Sequence, residues 1–440
     1  MKRYVTALLG LFAFIAFATP AHSQSKASSS KILVEAAPAA AGFSAARLDR
    51  IDSAMKSWVT QKWVNGSAIL IARHGKIVFY KAHGYNDMDT KAPLDKNGIF
   101  RIASQTKALT VASVMMLWEE GKFSLDDPVS MYIPSFANEQ VLATYNSKDT
   151  TYTTVPAKRP ITIRDLLTHT SGLGYPGLSI STPAELAIYA KAKMTGGVGV
   201  KDQKIGDAMD RLGKLPLFFQ PGEQWKYGLN MDVLGYLIEK WSGMSLEQFF
   251  ETRICKPLGM KDTWFNLPPE KGKRLVNFFL GDAKGNIKKQ TTELGLDMNY
   301  PLQKTDYFSG GGGLVSTLHD YAILLQMFLN GGEYNGVRIL SPTSIRLMTE
   351  NQIGDIHPTF GTHPEVNKFG FGFYIITDQG SRFGPQNAGT YSWGGVFGTS
   401  YWVDPKEDMF VLAYTQMWGP YVANTARGFS AMVYGAITDR

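Results

Sequence analysis

Apolar residues recur at helical spacing early in the chain, after a segment rich in Ser, Ala and Pro. Ser44 precedes them and can cap a helix. The recurring positions, which predict a helix over 45–60, are Leu48, Ile51, Met55 and Trp58. Two apolar runs follow at 67–73 and 76–82, separated by the turn signal His74-Gly75. This pattern predicts a β-hairpin.

The middle of the chain is patterned mainly for helices. An apolar segment opens at Ser104 and runs to about Glu120, where Gly121 predicts its end. Further helical patterns cover 163–168, 183–193, 232–241 and 318–329. Strand-like runs return at 370–377, 399–403 and 409–415. Strands at both ends with helices between them predict an α+β fold, in which helices flank one antiparallel sheet and a helical region is inserted.

The first 23 residues have the pattern of a secretory signal peptide. Lys2 and Arg3 precede an apolar run over 5–18, and small residues lead to a cleavage point after Ser23. An uncleaved membrane anchor is the alternative, but the run is short for a bilayer span. We therefore expect a periplasmic or secreted protein without a stable membrane anchor, with a flexible leader over 24–42.

Composition excludes several classes of protein. With 440 residues, 44% hydrophobic and 19% charged, the chain is typical of a globular protein rather than a disordered one. Its single cysteine, Cys255, leaves no internal disulfide and is expected to be a packed core residue. The net charge of +7 is dispersed, and its densest basic cluster, within 271–274, carries no interleaved aromatics. We therefore expect no nucleic-acid partner.

Common hydrolase signatures narrow the chemistry. The G-x-S-x-G elbow and the H-E-x-x-H zinc motif are absent, and the seven histidines show no metal-ligand spacing. We therefore expect neither a metal nor a cofactor. The S-x-x-K pattern of a nucleophilic serine occurs at Ser23–Lys26, Ser28–Lys31, Ser53–Lys56 and Ser104–Lys107.

Ser104–Lys107 differs from the other three matches because it follows a strand-like run, 99–102, and opens an apolar helix. Residues three apart share a helix face, so the Lys107 amine can point towards the Ser104 hydroxyl. Burial favours the neutral amine, which can accept a proton. The alternative is a purely structural role, in which Ser104 only caps the helix and Lys107 is solvated.

Over 43–435 the sequence resembles the serine β-lactamase-like hydrolases, nearest to class C β-lactamases and family VIII carboxylesterases. The resemblance rests on Ser104–Lys107 and on ordered blocks at 158–162, 165–173, 221–223 leading to Tyr227, 232–235, 257–260, 313–316 and 393–395. It implies a β-lactamase/transpeptidase-like domain over 43–440. Its α/β part would cover about 43–130 and 300–440, and its helical part about 131–299.

The resemblance also implies roles for individual residues. Ser104 would be the acyl-forming nucleophile, with Lys107 and Tyr227 as the shared general base. Trp393, Gly394 and Gly395 would form the third motif on an edge strand lining the cleft. The backbone N–H groups of Ser104 and Val396 would form the oxyanion hole.

Two departures from β-lactamases bear on the substrate. Leu229 stands where their second motif has asparagine, with Asn230 one residue late. Trp393 stands where their third motif has lysine, which would attract the carboxylate of a β-lactam or D-peptide. Both departures favour an uncharged, fairly apolar ester.

Alternatives to ester hydrolysis stay open at this point. They are a β-lactamase or D-amino peptidase on the same site, an acyltransferase and a non-catalytic binding protein of this fold. The acyl and alcohol groups depend on cleft walls expected from 135–220 and 297–310. The sequence predicts no oligomeric state. His169 is expected to stabilise a turn, and the glycines at 310–313 to allow close backbone approach near the cleft.

Overall fold

A computed structural model describes residues 31–177, 180–293 and 295–439. The predicted signal peptide and the start of the predicted leader lie outside these ranges. The described rest of that leader contains regular structure. Val34–Glu35 pairs with a strand of the main sheet, and Pro38–Ala41 forms a 3₁₀ helix. Within the described ranges, no helix combines the length and apolarity that a membrane crossing needs.

The core of the fold is an eight-stranded sheet built from both ends of the chain. Its strands are β1 Val34–Glu35, β2 Gly66–Arg73, β3 Lys76–Gly84, β4 Lys368–Phe369, β5 Tyr374–Ile375, β6 Tyr391–Gly395, β7 Thr399–Asp404 and β8 Met409–Tyr414. They lie in the order β1-β3-β2-β8-β7-β6-β5-β4 and are antiparallel except for β1 beside β3. His74 and Gly75 both adopt positive φ between β2 and β3, as a two-residue hairpin turn requires.

Helices cover both faces of this sheet. They are α1 Ala45–Thr60, α2 Thr106–Glu119, α3 Ile163–Thr168, α4 Pro183–Lys191, α5 Ile205–Leu212, α6 Asn230–Ser242, α7 Leu246–Phe250, α8 Lys256–Leu258, α9 Leu318–Leu329, α10 Pro342–Thr349 and α11 Phe429–Tyr434. Side chains alternate across the strands: Leu70 of β2 packs in the core with α2 and α9, whereas Ile71 packs with α1 and α11. The predicted α+β architecture is confirmed.

Helix α2 lies at the centre of the molecule, which explains its lack of a polar face. Its residues from Thr106 to Leu117 are all buried. A helix that is apolar all round is stable only when neighbours cover every side. Helix α6 packs against it from the inserted region. The polar residues that α2 does carry, including Lys107, are therefore held in an environment that excludes water.

The inserted region holds most of the remaining helices and also short strands. Two hairpins within it are Gln140–Tyr145 with Tyr152–Pro156, and Phe278–Gly281 with Ile287–Gln290. Other short strand pairs in the chain are Phe100–Arg101 with Val315–Ser316, Thr292–Glu293 with Leu296–Asp297, Phe278–Gly281 with Met417–Trp418, and Glu333–Tyr334 with Val337–Arg338.

The single strand predicted over 370–377 is wrong. The chain instead makes a tight connection between β4 and β5, with a hydrogen bond of 2.8 Å from the Gly370 N–H to the Phe373 carbonyl. Gly372 has φ +78°, which glycine adopts without strain. The apolar run is thus divided by its own glycines into a turn and a short strand.

Candidate active site

Ser104 lies in a 3₁₀ turn, Ala103–Gln105, between the strand Phe100–Arg101 and helix α2. Ala103 has φ +44°, an uncommon conformation for a residue with a Cβ. Hydroxyl groups from two distant elements hold the turn: Tyr321 donates to the Gln105 carbonyl at 2.9 Å, and Tyr414 to its side-chain oxygen at 2.6 Å. Within the fully described stretch 98–117, Ser104 alone is not buried.

The Ser104 hydroxyl has a partner within reach of proton transfer. The Tyr227 hydroxyl donates a 2.7 Å hydrogen bond to Ser104 Oγ. Lys107 Nζ lies 4.6 Å from the centroid of the Tyr227 ring and donates to the Gly311 carbonyl oxygen at 2.5 Å. The three residues come together from two separate parts of the chain. Tyr227 therefore contacts the serine through its hydroxyl and the lysine amine through its ring.

The third motif lies beside the serine turn on β6. A Cβ on Gly395 would come within 2.2 Å of the Ile102 carbonyl oxygen, so glycine is needed for this close approach. The Trp393 ring lies 5.6 Å from the Tyr227 ring and 5.8 Å from that of Phe360. Gly394 lies between Trp393 and Gly395 and pairs with Ser400 of β7.

Val396 follows β6 at the mouth of the cleft, and its side chain is 48% exposed. Its carbonyl accepts a 2.5 Å hydrogen bond from the Trp418 indole, which fixes the orientation of this peptide segment. Its N–H has no acceptor among the described residues. This N–H is therefore free to donate to a group bound in the cleft.

A cavity of about 690 Å³ adjoins Ser104 and continues over the edge of β6 towards Trp402. Near the serine its walls include Tyr227, Trp393, Phe360 and Ile180. Among the described residues, none that lines this cavity carries a charged side chain. The site therefore presents apolar and aromatic surface to a bound molecule, with hydroxyl and backbone groups as its polar contacts.

The two residues that replace the β-lactamase asparagine do not face this cleft. Leu229 is fully buried. The Asn230 side chain accepts a 2.5 Å hydrogen bond from Ser171 and lies 2.8 Å from His169 Nδ1. Neither side chain lines the cavity beside Ser104.

The His169 ring packs against the ring of Tyr227. His169 ends helix α3 in the left-handed conformation, as expected for a residue that stabilises a turn, and its ring centroid lies 4.9 Å from that of Tyr227. Burial, followed by the nearby charge of Lys107, lowers the pKa of His169 well below its usual value. The imidazole is therefore neutral at neutral pH, and its ring packs against the tyrosine.

One ionisable residue near the site was not predicted from the sequence. Asp232, in the first turn of α6, is completely buried, and burial raises the pKa of its carboxyl to about 6. A Cβ on Gly311 would lie 2.6 Å from Asp232 Oδ2 and 3.5 Å from Lys107 Nζ. The signal that could have revealed it is a carboxylate within an otherwise apolar helical pattern.

The second S-x-x-K motif in the described chain has no such environment. Ser53 Oγ donates to the Asp49 carbonyl within α1, and Lys56 pairs with Asp52 on the surface. Lys31, from a third match, pairs with Asp408. No cluster of side chains suited to hold a metal ion occurs within 31–177, 180–293 and 295–439.

Comparison with known proteins gives likenesses over most of the chain. A family model described as Beta-lactamase matches residues 49–431. An uncharacterized protein of Mycobacterium tuberculosis (strain CDC 1551 / Oshkosh) is 34% identical over 80% of this chain and 86% of its own. Esterase EstB of Burkholderia gladioli is 28% identical over 87% of this chain and 95% of its own. The solved structure of EstCE1, described as a hydrolase with promiscuous acyltransferase activity, has a TM-score of 0.73 at 28% identity and covers 89% and 98% of the two chains.

Proposed function

The chain belongs to the β-lactamase family and is a serine hydrolase, and within that class we propose that it cleaves uncharged carboxylic esters through an acyl-enzyme on Ser104. One observation carries the proposal: the Tyr227 hydroxyl lies 2.7 Å from Ser104 Oγ, with Lys107 Nζ 4.6 Å from the tyrosine ring. A weak nucleophile needs a base within hydrogen-bond reach and a further group that orients or activates that base.

In the proposed acylation, Ser104 Oγ attacks the ester carbonyl carbon while its proton passes to Tyr227. The bond from that carbon to the alcohol oxygen then breaks, and the alcohol leaves with the proton. Water repeats the sequence on the acyl carbon, and Ser104 leaves with its proton restored. The positive charge of Lys107 favours a phenolate at Tyr227, and the N–H groups of Ser104 and Val396 would stabilise the oxyanion in both steps.

The walls of the cleft support an apolar, uncharged acyl group. They present Trp393 and Phe360 near Ser104, and the part of the lining that the structure describes carries no cation that could pair with a substrate carboxylate. A β-lactam or a D-peptide with a free carboxylate would therefore leave its charge without a partner. Nitrocefin turnover much slower than ester turnover is the expected result.

Acyl transfer to an alcohol other than water is the second candidate. It shares the acyl-enzyme, and the likeness to EstCE1 favours it because that protein is described as having promiscuous acyltransferase activity. Product analysis in the presence of an added alcohol separates the two: a new ester indicates transfer, and free acid alone indicates hydrolysis.

We also propose that the protein acts outside the cytoplasm. The support is the charged start, apolar run and small residues over 1–23. The expected result is that the chain purified from its native host begins after Ser23. A chain that retains its first residues in the cytoplasm would contradict this proposal.

The decisive experiment compares two serines that share the same motif. Wild-type protein should hydrolyse p-nitrophenyl esters, and Ser104→Ala should lose that activity while remaining folded. Ser53→Ala, in the exposed motif of α1, is the matched control and should retain wild-type rates. Ester hydrolysis that persists in Ser104→Ala would overturn the assignment.

A further inference from the structure

We infer that Asp232 is a positioning residue of this site, whose buried carboxylate holds Lys107 in its charged form beneath Tyr227; the inference rests on the proposed function. Asp232 lies outside the cleft, because it is completely buried and does not line the cavity beside Ser104. It acts through Lys107 and does not touch the reacting atoms.

The geometry places the carboxylate and the ammonium against the same backbone segment. The point where a Gly311 Cβ would lie is 2.6 Å from Asp232 Oδ2 and 3.5 Å from Lys107 Nζ. Lys107 also donates to the carbonyl of Gly311. Any side chain at Gly311 would enter the space shared by the two charges, so the absence of a side chain there preserves their proximity.

The other carboxylate oxygen faces a second glycine. A Cβ on Gly197 would lie 2.8 Å from Asp232 Oδ1 and 3.0 Å from Ser309 Oγ, and it would also meet the Tyr307 ring at 3.1 Å. The Ser309 and Tyr307 hydroxyls and the Gly311 N–H therefore surround the carboxylate and favour its ionised form. None of them completes a close hydrogen bond to either carboxylate oxygen. The charge of Lys107 also favours the ionised carboxylate.

The buried tyrosines and the buried histidine around the pair stay neutral. Burial and the negative charge of Asp232 raise the pKa values of Tyr175 and Tyr307, and burial lowers that of His169. Arg211 faces Tyr307 from α5. The second-motif residues offer no alternative partner for Lys107, because Leu229 is apolar and Asn230 is engaged with Ser171 and His169.

The charge of Asp232 should determine how readily Ser104 reacts. An ionised Asp232 is a counter-charge for the Lys107 ammonium, and that ammonium in turn attracts the negative charge that develops on Tyr227 as it accepts the serine proton. When Asp232 is protonated, the Lys107 ammonium is a buried cation that has lost its counter-charge, which is unfavourable in this environment. Because the pKa of Asp232 is raised to about 6, serine reactivity should be present above that pH and fall below it.

The test measures serine activation directly. A fluorophosphonate probe reacts by forming a bond from Ser104 Oγ to phosphorus and expelling fluoride, with the serine proton passing to the base. Its labelling rate is followed between pH 4.5 and 9 for wild type, Asp232→Asn and Glu239→Gln. Glu239 is the matched control because it lies on the same helix, is partly buried and also has a raised pKa.

Wild type and Glu239→Gln should both lose labelling below about pH 6. Asp232→Asn, checked for folding by circular dichroism, should label about 10²-fold more slowly at pH 8 and lack the acid limb seen in wild type. A folded Asp232→Asn protein with the wild-type rate and acid limb would overturn the inference.

A second variant decides the matter if Asp232→Asn does not fold. The Ser309 hydroxyl lowers the pKa of Asp232, so Ser309→Ala should move the acid limb to higher pH. An unmoved limb would count against the inference. Labelling of Ser104 without any ester hydrolysis would contradict the proposed function and leave this inference standing, because the probe needs no ester substrate.

Discussion

The Tyr227 hydroxyl donates a 2.7 Å hydrogen bond to Ser104 Oγ, so the group that would accept the serine proton is already in contact with it. Tyr227→Phe removes only this hydroxyl and preserves the ring contacts with Trp393 and His169. We expect kcat/KM for p-nitrophenyl esters to fall by about 10²–10⁴-fold, with little change in thermal stability. Steady-state kinetics and a thermal melt measure the two effects, and activity within tenfold of wild type would argue against the tyrosine as base.

Lys107 should matter for reactivity rather than for folding. Lys107→Met keeps an unbranched side chain and removes a buried charge, which itself is costly to desolvate. We expect at least about a 10³-fold loss of kcat/KM without a fall in the melting temperature, because a protonated, neutral Asp232 can remain in place. The matched control is Lys56→Met, which breaks only an exposed ion pair with Asp52. Equal losses in the two variants would contradict the assignment.

The backbone N–H of Val396 can be tested by a pair of substitutions. Val396→Pro removes that N–H, whereas Val396→Ala removes most of the exposed side chain and keeps it. Since losing one oxyanion donor costs about 10²–10³-fold in rate, kcat should fall by that factor in the proline variant alone. The two kcat values are compared under saturating ester. A proline variant as active as the alanine variant would exclude this N–H from the oxyanion hole.

The parts of the fold that the sequence predicted are those specified by local pattern. The period of Leu48, Ile51 and Met55 required a helix, and α1 has the predicted bounds. His74 and Gly75 marked the hairpin because few residues other than glycine adopt positive φ readily. The strand predicted over 370–377 was wrong because the prediction followed the apolar residues of this run. Gly370 and Gly372 instead allow the backbone to make a turn there.

The sequence could predict only those site residues that belong to a motif with a fixed spacing. Ser104 lies in the 3₁₀ turn that leads into α2 and Lys107 in the first turn of α2, so their three-residue spacing predicts that they share a face. Asp232 reaches Lys107 through α6 packing on α2 and through Gly311, and no local pattern encodes such a long-range approach. The strand Tyr152–Pro156 was missed for a related reason: its residues are all exposed, and no buried face imposed an alternating pattern.

Substitution of Trp393 tests whether its ring contacts the acyl chain of the substrate or only holds Tyr227 in position. Its ring lines the cleft beside Tyr227 and Phe360, so it should contact an extended acyl chain more than a short one. Trp393→Ala should lower kcat/KM for p-nitrophenyl octanoate by at least about tenfold, the effect of losing 1–3 kcal/mol of apolar contact. The acetate ester, which cannot reach as far, should lose less than about threefold by the same reasoning. Phe383→Ala is the control, since this exposed ring stacks on His363 and does not line the cavity. Equal losses for both esters in Trp393→Ala would mean that the indole supports the position of Tyr227 rather than the acyl group, because a displaced base slows every substrate alike.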